Sequence, residues 1–138
     1  MFITPAMVDL VVRETNKKIE VTIANLHEPP SDKTMFIKTT DELEVYAFFS
    51  LMYFRGLLSL NNHSVDTLFS EKAGHPVFGG TMSRNCFKFL SSHLAFDDST
   101  TRPQRWKHNR FVAFCEFCAE FYHNCSRHLV PSKYLSLD

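Results

Sequence analysis

The sequence has little glycine, four residues in 138, and a single Trp against fourteen Phe. Many rings and few flexible positions suggest packed helices joined by short loops, not a fibrous or low-complexity chain. An excess of one charge is also missing, since 15 Lys and Arg balance 15 Asp and Glu. The whole chain therefore offers no net field that would draw a polyanion. No apolar run is long enough to cross a membrane. The longest, VYAFFSLMYF at 45–54, is bounded by Glu44 and Arg55 and falls well short of the roughly 20 residues a span needs. Asp9, Arg13 and Glu14 interrupt the apolar stretch that a secretory leader would require. The expectation is an intracellular chain whose four Cys are reduced thiols. A Gly-rich phosphate loop, an internal repeat and a nucleophile–His arrangement are lacking too, so pattern alone defines no catalytic centre.

What is present reads as helix. In ITPAMVDLVVRETNKKIE, Thr4 can cap and Pro5 suits the first helical position. Met7, Val8, Val11 and Val12 then share a face. HEPPSDK follows as a break, with Pro29 and Pro30 paired. TTDELEVYAFFSLMYFRGLLSL starts with Thr39 and Glu42 in capping-box spacing. Its apolar residues Leu43, Val45, Tyr46, Phe48, Phe49, Leu51, Met52 and Phe54 go nearly all round, which predicts a helix at the centre of a bundle. Gly56 is a position where a neighbour could approach closely, or it simply weakens the helix end. SVDTLFSE predicts a short helix over 64–71, and KAGHPVFGG predicts a loop. TMSRNCFKFLSSHLAFDD predicts a long helix capped by Ser83, with Phe87, Leu90 and Leu94 on one side. A last helix runs from Phe111 to a stop at Pro131. Its stripe of Phe114, Cys115, Cys118, Phe121, Tyr122, Cys125 and Leu129 spans roughly 120° of arc, with Arg110, Glu116, Glu120 and His123 off it. The expected fold class is mainly α: a bundle of four or five helices over 1–131, then one strand at 132–138.

Two clusters invite a chemical reading. Cys115, Cys118, Cys125 and His128 have ligand-like spacing. On one unbroken helix, however, Cys115 and Cys125 lie roughly 15 Å apart along the axis, while zinc reaches sulfur at about 2.3 Å. The thiols are better read as small hydrophobes. The second cluster is TRPQRWKHNR at 101–110, with Arg102, Arg105, Lys107, Arg110 and Trp106 and no acid. Cations interleaved with a flat ring suit a nucleic-acid backbone, though many solvated loops have this composition. Charge asymmetry points the same way: residues 1–83 carry 7 Lys and Arg against 10 Asp and Glu, and residues 84–138 carry 8 against 5. Asp97 and Asp98, just upstream, read as caps or solvating groups of a loop.

Six pieces in order resemble the piggyBac family of cut-and-paste DNA transposases. They are MVDLVVRETN, DELEVYAFFSLMYFRGL, DTLFS, MSRNCFKFLSSHLAFDDSTTRP, NRFVAFCEFCAEF and VPSKYLSLD. The resemblance implies a nuclear protein whose helical part forms a homodimer and grips double-stranded transposon-end DNA. It also implies that this part precedes a catalytic core of RNase H-like fold that uses Mg2+. The first strand of such a core delivers the first of three metal-binding Asp residues, and LSLD places Asp138 there. With one carboxylate of three, residues 1–138 are expected neither to hold the metal nor to cut or join DNA alone. Two other readings accompany this one: a decayed or domesticated transposon-derived protein acting only through protein contacts or not at all, and the front of a longer active enzyme. Asn109 and Cys86 depart from the family pattern, standing where Asp and Arg are common.

Overall fold

The computed structural model describes residues 2–26, 35–107 and 109–128. Those residues form seven α-helices and no strand. Helix α1 spans Pro5–Ala24; α2, Glu42–Leu57; α3, Val65–Leu68; α4, Pro76–Thr81; α5, Arg84–His93; α6, Arg102–Trp106; and α7, Cys115–His128. Pro131 and the expected strand at 132–138 lie outside the described residues.

Local chemistry explains the helix starts. Thr4 is extended, its hydroxyl accepts from the Met7 N–H at 3.4 Å, and Pro5 follows. Ser64 and Ser83 cap α3 and α5 in the same way, accepting from Thr67 N and Cys86 N. At α2 the cap is Asp41, not Thr39: its Oδ1 accepts from Glu44 N at 2.8 Å. A carboxylate there also meets the positive end of the helix dipole. Residues 76–80, expected as loop, are helical, in a helix that ends at Thr81. Pro76 enters the first turn, the His75 ring accepts from Val77 N, and Phe78 is fully buried. One anchored ring stabilises a six-residue helix that propensity alone would not.

Fourteen Phe give the fold much of its core. One cluster gathers Phe48, Leu51, Leu68, Phe78, Phe87 and Leu90 from α2 to α5. A second gathers Val8, Val11 and Val45 between α1 and α2. Phe49 and Leu94 pack against both. Ring contacts run continuously from Phe78 through Phe69, Phe87, Phe48, Phe49 and Phe96 to Phe117. Polar side chains then lock α1 in place. Asn16 pairs with the Thr40 backbone in both directions, at 2.9 and 2.8 Å, as one amide pairs with another. Buried Thr15 accepts from Ala95 N at 3.1 Å, and Lys18 donates to Ser92 O.

Two faces differ from expectation. Helix α2 is covered on one side only: Val45, Phe48 and Leu51 are buried, while Leu43 is 79% exposed and Tyr53 and Leu57 are also open. Its apolar content could not say which side would be covered, because nearly every side qualified. A Cβ on Gly56 would meet nothing within 4 Å, so no neighbour approaches there. The last helix is also reorganised. Val112–Phe114 is a short 3-10 turn, and α7 begins only at Cys115. The side of α7 that packs is centred on Phe117, Phe121 and Asn124, roughly 100° from the middle of the expected stripe, which it shares only at its edge through Phe121. Phe117 meets Phe96 at 5.0 Å, Phe121 meets Phe2, and Asn124 donates to Phe2 O at 3.2 Å. Asn124 is the one residue of α7 that is buried.

Candidate nucleic-acid interface

Beyond α5 the chain turns back through residues 95–101 to start α6. Five residues are too few to hold a helix by backbone hydrogen bonds alone. An ion-pair node does it instead. The Asp97 side chain is only 2% exposed. Arg102 donates to it through Nε at 3.1 Å and through Nη2, and Arg105 Nη2 donates to Asp97 Oδ2 at 2.9 Å. The two arginines are three residues apart, hence on one face of α6, and that face lies over Asp97. The hydrogen bond to Asp97 raises the Arg102 guanidinium above its ordinary value. Arg105 also reaches Asp98 O at 2.9 Å and, through Nε, the Thr101 hydroxyl at 3.1 Å. Breaking a buried pair by removing one partner typically costs about 3–5 kcal/mol, so this node holds the segment firmly.

Asp98 has a different job from Asp97. Its Oδ1 accepts from Thr100 N at 2.8 Å and Thr100 Oγ1 at 2.6 Å. These bonds hold its carboxyl below the usual range. Asp98 is thus the loop cap the sequence suggests, whereas Asp97 is an internal counter-ion. The missed signal was spacing: an acid five and eight residues before two arginines that share a helix face. Opposite, on α1, Glu14 is buried beneath Lys17 and Arg13. Burial pushes its carboxyl up, but hydrogen bonds from Lys17 and Arg13 outweigh that and hold it below the usual range. Arg13, Lys17 and Arg105 line one cleft with Glu14, Asp98 and Glu116, and the matched charges leave it without a net pull on anions.

The five residues expected to meet DNA therefore fall into two sets. Arg102 and Arg105 face inward onto Asp97, with side chains about one-third exposed. Trp106 is 52% exposed, and Lys107 and Arg110 are exposed as well. Neither Lys107 nor Arg110 forms an ion pair among the described residues. Phe111 and Phe114 add two more open rings. Asn109, where the family often has Asp, donates to the Cys115 sulfur and accepts from Phe111 N at 2.9 Å, closing the turn into α7. Cys86 sits half-buried on α5, and burial pushes its thiol up.

No group of three or more His, Cys, Asp or Glu among the described residues is placed to hold a metal. Cys115, Cys118 and Cys125 run along one helix as free thiols. Asp138 lies outside the described residues. No described helix is long and apolar enough to cross a membrane.

The described residues thus form a capped, mainly helical bundle that carries a braced basic segment. The chain belongs to the family described as Transposase IS4, whose model matches residues 1–138, and it is of the piggyBac type. Its structure is similar to that of a piggyBac transposase seen by cryo-EM in a synaptic complex with hairpin DNA. The TM-score is 0.75 and the identity 28%, over 90% of this chain. The match spans 25% of that transposase. No curated protein matches the sequence.

Proposed function

We propose that this chain is a transposase-derived helical module that grips double-stranded transposon-end DNA and pairs with a second copy, without a complete catalytic site of its own. The observation that carries the reading is the outward set Trp106, Lys107 and Arg110. Two exposed cations and a ring stand on a segment braced from behind, which suits a phosphate backbone and a sugar or base face. Arg102 and Arg105 belong to the same basic segment. The similarity to a transposase in complex with hairpin DNA supports the reading. Nuclear location would follow from it.

For catalysis, Asp138 would supply one carboxylate toward Mg2+. Two-metal phosphoryl chemistry needs several. Purified 1–138 should therefore leave a transposon-end duplex intact in Mg2+; nicking that depends on Asp138 would overturn this part. The DNA part is tested by fluorescence anisotropy with a labelled duplex. Binding should weaken steeply as salt rises, and should weaken again in Trp106→Ala/Lys107→Ala/Arg110→Ala. Binding that ignores both salt and that substitution would sink it. A second reading, a protein-interaction module, is favoured by the open apolar side of α2 at Leu43, Tyr53 and Leu57. Sedimentation of wild type against Tyr53→Lys would show whether that side joins two copies.

A further inference from the structure

The basic segment holds four cations, yet they are not equivalent, and the difference lies in which edge of each guanidinium is free. Phosphate is best met by the Nε/Nη2 fork of arginine, two parallel N–H groups on one edge. In Arg102 both groups of that edge go to Asp97. In Arg105 the Nε goes to Thr101 and the Nη2 to Asp97 and to Asp98 O. Neither fork faces solvent. Asp97, 2% exposed, has no second cation source besides these two among the described residues. A buried carboxylate deprived of its partners is costly, so phosphate must compete with that cost to recruit either arginine.

We propose that Asp97 is the positioning residue of this interface: it withholds Arg102 and Arg105 from phosphate while fixing the helix that ends at Trp106 and leads into the turn carrying Lys107 and Arg110. The inference rests on the DNA-binding reading and divides its residues by role. Lys107 and Arg110 supply the phosphate contacts. Arg102 and Arg105 are struts whose charge is neutralised inside the fold.

The salt dependence of binding separates the two roles, because each phosphate contact adds about 0.9 to the slope of log K against log salt concentration. Lys107→Ala/Arg110→Ala should flatten the slope by about 1.8. Asp97→Asn releases two cations and should steepen it, by up to about 1.8, an effect that a merely structural carboxylate would not produce. Asp97→Asn/Arg102→Gln/Arg105→Gln keeps hydrogen-bonding groups at the node without charge. With its helicity and melting intact, it should retain the wild-type slope, and it keeps the test decisive if Asp97→Asn alone unfolds. A triple variant that flattens the slope as much as the Lys107/Arg110 double, or a folded Asp97→Asn whose slope does not change, would overturn the division of roles. Wild-type protein with no salt-dependent binding to duplex DNA would instead remove the DNA-binding reading itself, and this inference with it.

Discussion

Helices α5 and α7 carry the same kind of pattern and meet opposite fates. In α5, ten residues long, Phe87, Phe89 and Leu90 are buried, with Phe48 and Phe69 closing over Phe87 at 5.0 and 5.4 Å. In α7, fourteen residues long, the expected stripe packs only along one edge: Phe121 meets Phe2 and Cys118 and Cys125 are half-buried, while Cys115 is exposed and Tyr122 is 71% exposed. The difference comes from neighbours. Helix α5 emerges between α2 and α3, which already present rings to it. Helix α7 reaches the bundle through Phe96, Phe49, the valine cluster of α1 and α2, Met7 and the N-terminal segment, and turns toward them the side that carries Phe117, Phe121 and Asn124. An amphipathic stripe states which side would gain from burial; it does not state that a partner is there.

The largest expected effect sharpens that contrast. Phe87→Ala should lower stability by about 3–5 kcal/mol in urea denaturation, because three elements close around the ring and cannot collapse into the space. Tyr122→Ala should change it by no more than about 0.5 kcal/mol. Comparable losses at the two sites would mean that the α7 stripe is covered in solution, and the contrast would be gone.

A smaller effect is expected in the link between α3 and α4. A Cβ on Gly74 would stand 2.6 Å from the Ser70 carbonyl oxygen and closer still to that of Leu68. Both are backbone atoms and cannot swing away, so Gly74→Ala should cost about 1–3 kcal/mol. Gly56→Ala, with open space around it, should be neutral or slightly stabilising in the same melts. The pair checks whether the packed region is tight at its turns as well as in its core.

On the α7 side the comparable test is polar. Asn124 is buried for its amide, which donates to Phe2 O and lies 3.7 Å from the Met7 sulfur. Asn124→Ala should cost about 1 kcal/mol and release the N-terminal segment, which amide hydrogen exchange at residues 3–8 would register. Unchanged exchange there would show that the two aromatic contacts of Phe2, with Phe121 and His128, hold the segment without Asn124.

These cases also show what could be read beforehand. Helix starts at Thr4 and Ser83 were legible because a cap is a local event, made within four residues. The mainly helical class followed from the long periodic segments. The cap at Asp41 was off by two residues, since Thr39, Thr40 and Asp41 are all competent and only the path of the chain selects one. Helix α4 was hidden because Pro and two Gly frame it, and what stabilises it is Phe78 reaching Phe54 and Phe69 from elsewhere in the chain. The basic segment stood out by composition. Its division into struts and outward groups did not, because the burial of Asp97 beneath Arg102 and Arg105 is a tertiary outcome that composition does not encode.

The smallest effect concerns the boundary between the two regions, where α1 meets the segment that leads to α6. One ion pair crosses this boundary, Lys17 at 3.7 Å from Asp98, while Glu14 pairs with Lys17 and Arg13 of its own helix and so holds Lys17 in place. The carboxyls of Glu14 and Asp98 both titrate below their ordinary values of 4.5 and 3.8. A depressed value in the folded state means stabilisation that is fully present above the ordinary value and is lost as pH falls through the folded one. Acid should weaken these contacts and also the Asp66 pairs with Lys88 and Arg84 that join α3 to α5, but α6 and α7 bury only Asn124, so their side should loosen before the ring-packed α2–α5 core. Trp106, the single Trp, sits at the end of α6 and reports that side by fluorescence, while far-UV circular dichroism follows the helices as a whole. Below about pH 4 the fluorescence change should precede the loss of helicity, and Glu14→Gln should make stability less dependent on pH between 5 and 3. Coincident transitions, together with an acid limb that Glu14→Gln leaves untouched, would show that the boundary is held by Phe96 and Phe117 rather than by charge, and that the two regions unfold as one.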